Sequence, residues 1–93
     1  MNIGAMRIEM HIAESASLKD KRRVLSRLKD RIKNRFNVSI AEIEEMDKWQ
    51  TAVLGIAAVS NDKRHLSKCL DGIISFIEDE KKVMVVDYSV EML

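Results

Sequence analysis

Proline is absent from this chain, and glycine, cysteine and aromatic residues are scarce. With no proline, and glycine only at positions 4, 55 and 72, no stretch reads as a rigid or flexible linker. A lone cysteine, Cys69, excludes an intramolecular disulfide and fits a reducing compartment, so a cytoplasmic location is the default expectation. His11 and His65 fall on different segments, neither with a cysteine or acid at ligand spacing, so no metal is expected. There is no glycine-rich phosphate loop, and no cofactor or small-molecule ligand is implied. The longest mostly apolar run, Ala52 to Val59, has strand length and falls far short of the ~20 residues that a bilayer requires. Charges interrupt the first residues too early for a secretory leader.

What remains is a chain of 93 residues, 46% hydrophobic and 33% charged, a balance that excludes disorder and suits one core. Residues 6–12 alternate strictly: Met6, Ile8, Met10 and Ile12 point one way, Arg7, Glu9 and His11 the other, as in a strand with one buried face. Ser17-Leu18-Lys19-Asp20 reads as a helix start, with Ser17 as cap and Asp20 where a capping-box acid stands. Leu18, Leu25, Leu28, Ile32 and Phe36 then recur at helical spacing, Val24 widens the stripe, and Asn37 is a plausible stop.

Val38 to Ile43 reads as a second strand whose alternation slips, which predicts a bulge near Ala41. Thr51 to Ser60 is apolar on both faces and predicts a central strand. Ser60-Asn61-Asp62 opens a second helix buried through Leu66, Cys69, Leu70, Ile73, Ile74 and Ile77, which makes Cys69 an inert core thiol. Val83 to Leu93 is the last strand, with Met84, Val86, Tyr88, Val90 and Met92 expected on one face. The order βαββαβ predicts a single α+β domain over residues 1–93 of ferredoxin-like topology. Its four-stranded antiparallel sheet has order 4-1-3-2, with both helices on one face.

Net charge is only +1, but it is unevenly spread. Between residues 18 and 36 stand Lys19, Lys21, Arg22, Arg23, Arg27, Lys29, Arg31, Lys33 and Arg35, against Asp20 and Asp30 alone. Clustered cations on one helix are the footprint expected for phosphate contact. Lys19, Arg22, Arg23, Arg27, Lys29 and Lys33 are the candidate nucleic-acid-binding residues. A solvated helix face and pairing with Glu42, Glu44, Glu45 or Asp47 across a subunit boundary are the competing readings. Trp49 follows a charged turn and reads either as a core anchor or as a partner contact. With Arg7 and His11 on the uncovered sheet face, it forms the second candidate contact set.

Several stretches together resemble one family: Ser17 to Arg22, Phe36-Asn37-Val38-Ser39, Ala41-Glu42, Asp47-x-Trp49-Gln50, Leu54-Gly55 and Val59-Ser60-Asn61. They are similar to the YlxP-like proteins, small uncharacterised bacterial proteins, with Asp20 where that family commonly has Glu. The resemblance implies a ferredoxin-like fold and no established activity. Its gene neighbourhoods, close to translation and ribosome-maturation genes, point toward RNA by association. The leading expectation is a non-enzymatic accessory protein that touches structured RNA, ribosomal RNA or a ribosomal particle, through the basic helix. The alternative is a homodimeric structural or protein-interaction module using the open sheet face or an edge strand.

Overall fold

A computed structural model describes all residues from Met1 to Leu93. Its elements run β1 (Asn2–His11), α1 (Leu18–Arg35), β2 (Ser39–Glu44), β3 (Thr51–Ser60), α2 (Lys63–Glu78) and β4 (Met84–Met92). All strand pairs are antiparallel, and the sheet order is β2-β3-β1-β4. This is the ferredoxin-like arrangement expected, with β1 and β3 central. α2 packs on β1, β3 and β4, whereas α1 packs on β2 and on the flank of α2. The basic helix therefore lies at one side of the sheet and β4 at the other.

Alternation in β1 delivers Met6, Ile8 and Met10 to the core, where each is 3% exposed or less. They meet Leu25, Leu28 and Ile32 of α1 and Leu66, Leu70, Ile73 and Ile77 of α2. Ser17 Oγ accepts the Asp20 N–H at 3.0 Å, and Asp20 Oδ2 accepts the Ala16 N–H at 3.0 Å. The expected capping box thus closes one residue upstream of its usual donor, since the shorter Asp replaces Glu. Asp62 caps α2 by accepting from Arg64 N and His65 N. α1 ends without glycine: Phe36 turns extended and lays its ring edge-to-face on Phe76, centroids 6.2 Å apart. A Cβ on Gly72 would sit 3.2 Å from that ring, so the glycine costing helix propensity makes room for Phe36.

Two irregularities set which side chains reach which face. In β2 the register shifts between Glu42 and Glu44, so the expected bulge falls at Ile43, two residues beyond Ala41. In β4 the register shifts so that Asp87 pairs with Glu9 but Val85 pairs with Met10, leaving Val86 as the inserted residue. The single apolar row expected along β4 is therefore broken. Tyr88 and Val90 share the helix side with Ile8 and Met6, while Met84, paired with His11, stands on the opposite face. Val85 takes the core position instead.

Candidate polyanion-binding surface

α1 carries nine basic side chains, and the fold divides them into two groups. Three have partners within the chain, one of them buried. Lys21 is 1% exposed, and its ammonium lies 2.8 Å from Glu42 Oε2. That ammonium also donates to the carbonyls of Glu45 at 2.8 Å, Thr51 at 3.2 Å and Met46 at 3.4 Å. Four acceptors compete for three protons, which is why Glu42 Oε2 has no well-aligned hydrogen bond despite its closeness. Arg31 pairs with Glu80 and lies over the Phe76 ring, 5.1 Å from its centroid. Arg35 stacks on the same ring at 5.5 Å.

The remaining six are Lys19, Arg22, Arg23, Arg27, Lys29 and Lys33, and none has a carboxylate within ion-pair distance. Five are exposed and Lys29 is half-buried. The acids that could have neutralised them are directed elsewhere in the same chain. Glu42 goes to Lys21, Glu44 to Arg7 and Glu45 to Lys48, while Asp20 serves the helix cap. Lys19, Arg22, Arg23, Arg27 and Arg31 share one outward surface with Ser26, and Asp30 is the acid among them. From Lys19 to Lys33 this ridge is ~21 Å long at 1.5 Å per residue.

Sequence reasoning missed two further cations. A groove of about 720 Å³ is lined by Arg23, Arg27 and Arg31 of α1 and by Lys81 and Lys82 of the turn before β4. Glu80, one of its acids, is already bound to Arg31, and Asp20 is held at the cap. The adjacent pair Lys81-Lys82 was the available signal, but only the return of the chain past α2 brings it beside the helix.

Of the second candidate set, Arg7 and His11 lie on β1 and Trp49 on the turn between β2 and β3. Arg7 is held on the open face by Glu44, with both Nε and Nη2 at 2.6 Å from the same oxygen. His11 closes the end of β1 beside Thr51 and Met84. Trp49 is no core anchor: it is 55% exposed on the turn between β2 and β3. Lys21 fastens that turn from below, and Gln50 ties its far end by donating to the carbonyls of Ala13 and Ser15. Glu45, at φ 60°, supplies the left-handed residue the turn requires. Lys48 is exposed, and its hydrogen bond to Glu45 raises its pKa from the ordinary value.

The open face pairs Ala5 with Ala57, Arg7 with Gly55, Glu9 with Val53 and His11 with Thr51, so its two central strands present no Phe, Tyr or Trp there. His11 and His65 sit apart on β1 and α2, and no three His, Cys, Asp or Glu side chains converge. Cys69 is half-buried, and burial pushes its thiol pKa up. No helix is long and apolar enough to cross a membrane.

Fold and surface together define the class: an α+β protein of ferredoxin-like topology whose outer helix displays a row of unneutralised cations. The chain belongs to the family described as "Protein of unknown function (DUF503)", whose profile matches residues 3–90. It is 45% identical over 76 residues to "Uncharacterized protein YlxP" of Bacillus subtilis (strain 168), covering 82% of this chain and 83% of that protein. Among solved structures, the de novo designed protein Foldit4 superposes with a TM-score of 0.56 at 14% identity, covering 100% of this chain and 97% of that one. That likeness concerns the fold alone.

Proposed function

We propose that this protein binds structured RNA through phosphate contacts made by the outer face of α1. The observation that carries the reading is the division of the nine cations: the fold pairs Lys21 and Arg31 with carboxylates, stacks Arg35 on Phe76, and leaves the other six with neither kind of partner. A helix needs no such excess to fold, and unneutralised like charges at i±4 and i±3 oppose it by a few tenths of a kcal/mol per pair. A polyanion removes that repulsion and releases its own counterions, which is the main source of affinity for a nucleic-acid backbone.

The six free cations are strung along ~21 Å of helix, a spacing that suits the successive phosphates of a folded RNA. The apolar stripe of α1 is spent on the core, with Leu25, Leu28 and Ile32 at 4% exposure or less, so no amphipathic face remains for a membrane surface. Base reading by a stacking sheet has little to rest on, because the open faces of β1 and β3 carry no Phe, Tyr or Trp and only His11, at the end of β1. Recognition then rests on backbone charge and shape. The test is fluorescence anisotropy with a labelled RNA hairpin, comparing the parent with R22E/R23E/R27E/K33E. The reading expects the variant to lose binding while keeping its helical circular dichroism. Equal binding by both proteins defeats it.

A further inference from the structure

The strand farthest from α1 has its own unfinished surface. β4 is an edge strand, and Tyr88, Val90 and Met92 are 49%, 45% and 36% exposed on the side of the sheet that the helices cover elsewhere. The backbone there is open too. Leu93 N donates to Ile3 O at 2.8 Å, so the odd-numbered residues of this stretch bond to β1. In an antiparallel ladder the alternate residues point the other way, so the N–H and C=O groups of Tyr88, Val90 and Met92 face outward, unpaired. From Asp87 to Leu93, β4 has no lysine, proline or bulge to protect its edge; its charges are Asp87 and Glu91 alone, and the one bulge lies earlier, at Val86.

We infer that β4 pairs antiparallel with β4 of a second copy of this chain, about a two-fold axis at Val90, joining two sheets into one of eight strands. A two-fold interface must be complementary to itself, and the sequence of β4 selects one register. Axes at Asp87 or Glu91 set an acid against its own copy, and an axis at Ser89 sets Asp87 against the partner's Glu91. An axis at Tyr88 brings the Val86 bulge into the ladder, and an axis at Met92, where β4 ends, leaves almost none of the strand to pair. An axis at Val90 avoids all of these. It sets Val90 against its own copy, Tyr88 against the partner's Met92, and Ser89 against the partner's Glu91. The outward backbone groups of residues 88, 90 and 92 then complete about six main-chain hydrogen bonds, and the apolar row becomes continuous across the junction. This pairing is independent of the RNA reading and leaves both α1 ridges free at the outer ends of the joined sheet.

One strand pair is a small interface, so its dissociation constant is expected on the order of 10 µM. Sedimentation velocity from about 2 to about 200 µM covers that range. The parent should pass from monomer to dimer, with little change between low and high salt, unlike any binding to RNA. V90P removes an outward N–H that bonds nothing within the chain, so the variant should fold normally and dimerise at least ~10-fold more weakly. S89K reads the register without touching a hydrogen bond. Opposite Glu91 of the partner subunit it should tighten the dimer by about 2–10-fold. A parent that stays monomeric throughout overturns the inference, as does a V90P dimer of undiminished strength. Weakening by S89K overturns the register, since an axis at Ser89 would set the new cation against its own copy.

Discussion

Replacing Lys21 with methionine keeps the buried stem and deletes only the ammonium. The side chain is 1% exposed, and its nitrogen serves the Glu42 carboxylate and the carbonyls of Glu45, Met46 and Thr51. Removing one partner of a buried ion pair costs about 3–5 kcal/mol, and each buried acceptor left without a donor adds about 1–3 kcal/mol unless water reaches it. Water does reach part of this site, because the Glu42 side chain is 18% exposed and the turn lies at the surface. The lower end, about 3 kcal/mol, is therefore expected. That is a large part of the roughly 5–14 kcal/mol that holds a chain of this size. With a urea slope of about 1–1.5 kcal/mol per molar, the unfolding midpoint falls by about 2–3 M. Circular dichroism at the helix band follows the transition. Glu42→Gln should cost far less in the Lys21→Met background than in the parent, a coupling of about 1–2 kcal/mol. A midpoint shift below about 0.5 M with an unchanged slope would mean that Lys21 does not fasten the β2–β3 turn.

Ser17→Ala removes the acceptor for the Asp20 N–H and should cost about 1 kcal/mol in the same urea assay. Trp49→Ala should change stability by less than about 0.5 kcal/mol, since the ring is mostly in solvent. As Trp49 is the sole tryptophan, parent fluorescence should be red-shifted and readily quenched by acrylamide. Burial raises the Cys69 pKa, so less thiolate is present at neutral pH than in a free cysteine. Its reaction with a thiol reagent at pH 7.5 should be slower than that of a model peptide and should reach the peptide's rate once urea unfolds the chain.

Where local pattern and tertiary environment agree, the sequence was enough. β1 alternates cleanly because one face meets both helices; on the open side of β3 burial accounts for Val53, opposite Glu9 and Glu44, whereas Ala57 and Val59 on that side are exposed. β4 was misread because alternation assumes an unbroken pleat, and one inserted residue at Val86 exchanges the faces before and after it. No residue type announces that insertion: it arises from how β4 fits β1. The basic helix was legible as a charge excess but not in its partition. Lys21 looks like one more surface cation by type, yet it stands in phase with Leu25, Leu28 and Ile32, at the spacing of the buried stripe. That phase was the available signal. The capture of Arg31 and Arg35 by Phe76 needed the packing of α1 on α2 and could not be read from either helix alone.

Whether α1 holds RNA phosphates is read from the slope of log affinity against log salt for a folded RNA. Each phosphate contact contributes about −0.9, so four to six contacts along α1 predict a slope of about −4 to −5. Neutralising Arg22, Arg23, Arg27 or Lys33 singly should flatten it by about one unit each, while Lys68→Gln on α2 should leave it unchanged. A slope near zero, or one indifferent to those four residues, would contradict the assignment of α1 as the RNA-binding surface.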